Sequence, residues 1–444
     1  MTSHVLHRSF QWDFPVAAGG DGPYISDSNG RRYLDASGGA AVSCIGHAHP
    51  HVVRAIAEQA QKLEFAHTSF FTNEPMERLA ELLVRKSGGA IDRAGIVCDG
   101  SEAVEAAIKL ARQYWTEAGQ TSRSVVISRR LSYHGITLGA LSVSGHTNRR
   151  EKYLPYLSRE VEFISPCYAY RGRRPEESDA EYGLRVANEL EEAIVRIGPE
   201  RVSAFIAEIV GGATAGCLTP VPGYFRRIRE ICDHYEVFFI ADEVMCGMGR
   251  TGTLFAYEQE PVTPDLIAIG KGLAGGYQPI GAVLANARIT RAIESGSGAL
   301  AQGHTYMGHP IACAAAVAVQ EVIERAQLLE NVQRMGNVLE QSLRDRFASH
   351  PHVGDIRGRG LFWALELVED KNEKRPFAPS LRLAARIKRE ALERGLVCYP
   401  SPGAADGSCG DNILLAPPYI INETQIGEMV DILARTLETV LSFE

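Results

Sequence analysis

Between residues 94 and 285 the apolar positions fall in short continuous runs, separated by longer stretches with helical spacing. Seven runs stand out: AGIVC (94–98), SVVIS (124–128), VEFI (161–164), VSAFIAEIV (202–210), VFFIA (237–241), LIAI (266–269) and GAVLA (281–285). Most do not alternate apolar with polar residues, so both faces are expected to be covered, as in a parallel sheet flanked by helices. SEAVEAAIKLARQYWTEAG (101–119) and PGYFRRIREICDHYE (222–236) repeat apolar residues at helical spacing, and Pro222 suits the start of the second helix. The pattern predicts an α/β domain built on one seven-stranded, mainly parallel sheet.

After residue 310 the texture changes. PIACAAAVAVQEVIERAQLLENVQRMGNVLEQSLRDRF predicts one long helix or a kinked pair, DIRGRGLFWALELV a pair of strands, 380–395 a helix, and Glu423 to Phe443 a closing helix. Residues 1–55, with the strand-like PYISDSNGRRYLDASGG, are expected to pack against this tail. The expected division is a large domain, 56–315, and a smaller α+β domain formed by 1–55 and 316–444. No internal repeat or low-complexity linker interrupts the chain.

Composition narrows the partners. The 444 residues carry a formal net charge of −8, with no dense run of Lys or Arg interleaved with aromatics, which argues against nucleic acid. The most basic stretch, RGRRPEE (171–177), reads as a solvated loop, since its acids follow at once. No segment approaches the roughly 18 uninterrupted apolar residues of a membrane span, and the amino terminus lacks a signal-length apolar run. A cytoplasmic protein with no membrane partner is expected. The nine cysteines are odd in number and contain no C-x-x-C pair, as expected of reduced thiols packed as small core residues.

Against this background one cation is out of place. In PDLIAIGKGLAGGYQPIGAVLAN (264–286), Lys271 ends an apolar run between Gly270 and Gly272. Desolvating an unpaired ammonium costs several kcal/mol, so the side chain either reaches solvent or is used as an amine. Four other features have a plain and a chemical reading each. Asp242 and Glu243 follow a strand at its carboxyl end, where open α/β sheets bind ligands; they are a loop ion pair or cap, or partners for a cationic ring nitrogen. Asp99-Gly100-Ser101 leads from a strand into a helix, as an ordinary N-cap with Glu102 or as a phosphate site. SYHGITLGALS (132–142) sets Tyr133 beside His134, for core packing or for stacking on a flat heterocycle. GHTYMGHP (303–310) offers the hydroxyl of Thr305. An amine, a phosphate site, an acid and an aromatic together describe pyridoxal 5′-phosphate held as a Schiff base on Lys271.

The same segments resemble a known family. FIADEVMCGMGRTG, PDLIAIGKGLAGGYQPIGAV, DGSEAVEAAIKLAR, YHGITLGALSVSG and HTYMGHPIACAAA are similar to the class III (omega) aminotransferases, of fold type I among the pyridoxal-phosphate enzymes, from YLDASGG at residue 33 to LLAPPYIIN at 414–422. The resemblance implies that Lys271 carries the cofactor and shuttles a proton, that Asp242 holds the pyridine nitrogen protonated, and that Val244 and Tyr133 flank the ring, with His134 beside Tyr133. It further implies that Gly100 and Ser101 hold the phosphate, that Glu208 lies near cofactor and substrate, and that Thr305 reaches the phosphate of a neighbouring subunit in a homodimer, or in a tetramer. The implied reaction is ping-pong transfer of an amino group from an amine or amino acid to an oxo acid such as pyruvate or 2-oxoglutarate. Racemases, epimerases and decarboxylases share this fold and these residues, and form the alternative.

The departures concern substrate. Relatives acting on ornithine or γ-aminobutyrate carry arginine after Y-H-G, where this chain has Ile136, and Gln after D-E-V, where it has Met245. Other relatives place an arginine where Gly407 stands here, so the anchor for the acceptor carboxylate is open. Small residues in GGAAVSC (38–44) suggest a roomy pocket and a hydrophobic or extended ω-amine or amino acid donor. Two rival readings are weaker. GMGRTG (247–252) matches a dinucleotide-binding pattern but is followed by TLFAYEQEPVTPD, which does not read as a helix. His47, His49 and His51 could share a zinc only with further ligands that the neighbouring sequence lacks.

Overall fold

The computed structural model describes residues 4–442. Three strands open the chain as an antiparallel meander: β1 (Ala17–Asp21), β2 (Tyr24–Asp27) and β3 (Arg32–Asp35). The seven apolar runs then form β4 (Arg93–Val97), β5 (Val125–Arg129), β6 (Val161–Ile164), β7 (Val202–Glu208), β8 (Phe238–Asp242), β9 (Leu266–Ile269) and β10 (Gly281–Ala285). They make one sheet in the order β4-β10-β9-β8-β7-β5-β6. All neighbours from β9 to β6 are parallel, while β10 runs against both β4 and β9.

Alternation within the runs sorts the two faces. Phe205, Phe239 and Ile267 point into a core shared with the helices Asp179–Ile197 and Tyr224–His234, while Ala204, Phe238 and Leu266 face the helix Gly100–Glu117. Both faces are therefore dry, which is why the strands read as unbroken apolar runs. Strand β7 ends at Glu208, two residues before its apolar run does. The chain then turns through a hairpin joined by the Gly211–Leu218 bridge, and Arg129 Nη2 donates to the Glu208 carbonyl at 2.6 Å. Pro222 lies outside its helix, because Gly223, at φ +88°, is the N-cap.

The tail supplies β11 (Val353–Arg359), β12 (Phe362–Leu367), β13 (Leu396–Val397), β14 (Tyr399–Pro402) and β15 (Asp411–Leu415). Four of these form an antiparallel sheet, β11-β12-β15-β14, and β13 instead joins β3 in parallel, pairing Leu396 with Leu34. The amino-terminal segment is thus tied to the tail. The long apolar stretch after 310 is a kinked pair, Pro310–Arg325 and Leu328–Phe347, broken at Gln327 with φ +48°. The closing helix spans Glu423–Leu441; Phe443 lies outside the described residues.

One surface expectation is corrected. Arg171, the first residue of the basic stretch, is not solvated: its Nε and Nη2 each lie 2.6 Å from Oε1 of Glu366, which is fully buried. All nine cysteines are free thiols. Among the described residues no helix is long and apolar enough to cross a membrane.

Candidate functional site

The carboxyl ends of the parallel strands open onto a cavity of about 490 Å³, lined by Gly100, Ser101, Tyr133, His134, Glu208, Asp242, Val244 and Lys271 together with Val42, Cys98, Asp99, Gly135, Val210, Met245, Gly276, Gln278, Pro279 and Ile280. That size suits a small-molecule site. Strand register builds one wall. Glu208 and Asp242 are the last residues of β7 and β8 and are paired across the two strands, so both carboxyls emerge side by side.

Asp242 is buried and held from two sides. Oδ2 lies 2.6 Å from Nδ1 of His134, and Oδ1 accepts from the Val244 amide at 3.0 Å. With an ionised carboxylate accepting, Nδ1 carries the proton of the ring. Glu243, its neighbour, faces the other way. Its Oε2 accepts from Ala256 N at 2.6 Å and its Oε1 from Tyr257 N at 2.7 Å; burial pushes its carboxyl up to about 8. The acidic pair thus separates into a cavity residue and a core residue, as the period-two alternation of a strand end requires. Burial also raises the carboxyl of Glu208, opposed by His134 and Arg129; Oε2 stands 3.7 Å from Arg129 Nη2.

Lys271 follows β9 by two residues and lines the same cavity as Asp242, near enough for the two charges to interact. Its φ is +41°, a left-handed conformation that costs energy for a residue with a Cβ. Burial lowers the pKa of its amine, against the opposing pull of Asp242. The neutral amine is therefore more accessible than in water.

The third wall is the start of the helix Gly100–Glu117. Asp99 caps it, accepting from Glu102 N at 2.9 Å, but Glu102 reaches back to Cys98 N at 2.8 Å, so the reciprocal box is displaced by one residue. Gly100 and Ser101, the first residues of this helix, line the cavity, and the first amides of a helix have no intrahelical acceptor. Close approach explains the glycines here. A Cβ on Gly100 would stand 2.5 Å from Val244 Cγ1, and one on Gly135, at φ +135°, would stand 2.8 Å from Ser101 Cα.

The structure does not bring every expected residue together. Thr305 is exposed and outside this cavity, as is Ile136, whose amide donates to Ser101 Oγ at 3.3 Å. Val210, Gln278 and Ile280 line the cavity and were not singled out. Gln278 and Ile280 lie inside the glycine-rich motif that follows Lys271, the signal that could have found them; Val210 closes the apolar run 202–210 at a strand's carboxyl end, where ligands bind.

The two rival sites dissolve. His47 bonds Asp35 at 3.2 Å, His51 bonds Glu321 at 2.8 Å, and His49 caps the helix Pro50–Lys62, and no group of three metal-ligating side chains exists among the described residues. GMGRTG is a turn followed by bends and only a four-residue 3-10 helix, Ala256–Gln259, and its Arg250 is buried against the carbonyls of Leu361 and Pro417.

Residues 12–437 match the family model described as Aminotransferase class-III. An uncharacterised aminotransferase of Schizosaccharomyces pombe is 46% identical over 96% of this chain and 93% of its own. An amine transaminase from an uncultivated Pseudomonas species, solved in its PLP-bound form, superposes with a TM-score of 0.93 at 33% identity, covering 99% of both chains. An (S)-enantioselective omega-transaminase from Thermomicrobium roseum superposes with a TM-score of 0.92 at 34% identity, over 99% of this chain and 96% of its own. With a fold type I sheet and a cavity of this make-up, the chain belongs to the class III aminotransferases, a pyridoxal-phosphate-dependent family.

Proposed function

We propose that this aminotransferase attaches pyridoxal 5′-phosphate to Lys271 and moves an amino group from a hydrophobic or extended ω-amine or amino acid to an oxo acid such as pyruvate or 2-oxoglutarate. The observation that carries this reading is the convergence, on one cavity, of a partly desolvated amine, a buried carboxylate and the start of the helix Gly100–Glu117. Those residues fit the cofactor. The helix start at Gly100 and Ser101 suits a phosphate, and Asp242 keeps lone pairs free after accepting from His134 and Val244.

The bound cofactor supplies an electron sink for the substrate's Cα and carries the amino group between donor and acceptor. The chain does the rest. Asp242, accepting from His134 and Val244, would hold a proton on the ring nitrogen; Val244 and Tyr133 would confine the ring; Gly100 and Ser101 would bind the phosphate. Nζ of Lys271, from which burial makes a proton easier to lose, takes the proton from Cα and returns it on the other side of the transfer. Glu208 stands beside Asp242 toward the substrate.

Val42, Val210, Val244, Met245 and Ile280 make the lining largely apolar, and no arginine is among the lining residues. This supports an apolar donor over a compact diacid. The exposed Thr305, next to Tyr306 (59% exposed) and in a chain that also exposes Phe70 (79%), supports a homodimer or tetramer in which Thr305 serves the neighbouring site. We read the large unit as 56–315, the small one as 1–55 with 316–444, and the location as cytoplasmic. A panel of amines against pyruvate, 2-oxoglutarate and glyoxylate, following each half-reaction by the cofactor spectrum, tests the reading; racemisation with no net amino transfer would overturn it.

A further inference from the structure

We propose that Arg149 anchors the carboxylate of the oxo-acid acceptor at the rim of the cavity. The inference rests on the aminotransferase reading and names a specificity residue for it.

An oxo acid brings a carboxylate into a cavity whose lining includes carboxyls and no arginine. One place where relatives carry an arginine is closed. Gly407 sits at φ +96°, and a Cβ there would stand 2.7 Å from Thr147 Oγ1 and 3.3 Å from Thr147 Cβ. The segment beginning at Thr147 occupies that corner. Two residues on, the guanidinium of Arg149 lies 4.7 Å from the centre of the Tyr133 ring, which is itself a wall of the cavity.

Arg149 is uncommitted. Among the described residues its guanidinium makes no hydrogen bond and no ion pair, and the side chain is half-buried. Its neighbour Arg150 shows what a structural arginine looks like here. That guanidinium donates to the carbonyls of Ser142 and Ser144, each at 2.6 Å, and covers the Phe163 ring at 4.6 Å. A guanidinium stacked on an aromatic face keeps its N–H edges in its own plane, free for bidentate contact with a carboxylate. Burial, and then the charge of Arg149, push the adjacent His146 down to about 4, so the imidazole is neutral at ordinary pH and competes for no anion. A second guanidinium, that of Arg8, is near enough to act on the Tyr133 hydroxyl. Among the described residues neither Arg149 nor Arg8 makes an ion pair, and Asp242, near enough to act on the same hydroxyl, is already held by His134 and Val244.

The test uses the holoenzyme and the Arg149→Met and Arg149→Lys variants. KM is measured for pyruvate and for butanal, an acceptor without a carboxylate, with one amine donor. The ratio of the two KM values rises about 10- to 100-fold in Arg149→Met, as loss of a charge-assisted pair requires, while kcat with pyruvate holds; Arg149→Lys recovers part of the loss. Calorimetric binding of propionate, which has the carboxylate and no oxo group, weakens by the same factor. An unchanged KM ratio with unchanged propionate affinity overturns the proposal. Failure of the wild-type enzyme to move an amino group between any amine and any oxo acid sinks the functional reading instead, and propionate binding still judges the arginine.

Discussion

Gly100→Ala probes the closest packing in the site. The added Cβ would stand 2.5 Å from Cγ1 and 3.0 Å from Cγ2 of Val244, where carbon atoms ordinarily meet at about 3.5 to 4.0 Å. An overlap of roughly 1 Å has two outlets. Val244 can move, which drags the amide that holds Asp242 Oδ1 at 3.0 Å, or the start of the helix can move, which displaces the amides of Gly100 and Ser101. The second outlet is restricted, because Gly270 packs against the Gly100 backbone: a Cβ on Gly270 would lie 3.3 Å from Gly100 Cα and N. Overpacking of this kind costs about 1 to 3 kcal/mol, which weakens cofactor binding about 5- to 100-fold if it falls on the bound state. Spectral titration of the apoenzyme with pyridoxal phosphate gives the affinity, and thermal melting of the apoenzyme gives the share borne by the fold. Val244→Ala removes both γ-methyls and leaves a Cβ at 3.4 Å, so Gly100→Ala/Val244→Ala recovers most of the loss. Cofactor affinity equal to wild type in Gly100→Ala alone would refute the reasoning.

Three further outcomes follow from the same geometry. Asp242→Asn presents an amide NH₂ to one of the two donors now served by carboxylate oxygens; it should retain cofactor by absorbance yet lose about 100-fold or more in transamination rate. Glu243→Gln leaves one of the Ala256 and Tyr257 amides without an acceptor and should cost about 1 to 3 kcal/mol in denaturant unfolding. The Glu243 carboxyl is raised to about 8 in the fold, so its contribution is fully present below the ordinary carboxylate range and is lost as pH rises through about 8; wild-type stability should fall across that window and the Gln variant should flatten the fall. Arg357 is buried and donates to Asp355 at 2.8 Å, to Glu366 at 2.6 Å and to the Gly216 carbonyl at 2.8 Å; Arg357→Met should destabilise by about 3 kcal/mol, since Arg171 still pairs with Glu366.

Much of this site could be read from the chain because its residues sit at strand ends. An apolar run closing on Asp242 or leading to Lys271 fixes which edge of the sheet the side chain reaches, and parallel register then brings Glu208 and Asp242 together. Direction is another matter. β10 is apolar throughout, like β9, yet runs against it, because pairing sense is set by the connecting segment and not by the strand's own residues. The split between Asp242 and Glu243 was available from alternation but was obscured by their shared charge. Arg171 looked solvated because its partner, Glu366, lies 195 positions away, and β3 with β13 is likewise a pairing between distant segments. Arg149 sits in the short helix Thr147–Arg150 and Val210 just past the end of β7, so what each reaches depends on what packs beneath it.

The central claim is that the amine of Lys271 holds the cofactor. Borohydride reduction of the cofactor-loaded enzyme, followed by proteolysis and mass spectrometry, locates the attachment directly. A single phosphopyridoxyl mass addition is predicted on the peptide containing Lys271, absent from Lys271→Ala. The same addition on a different lysine, or full transamination by Lys271→Ala, would contradict it.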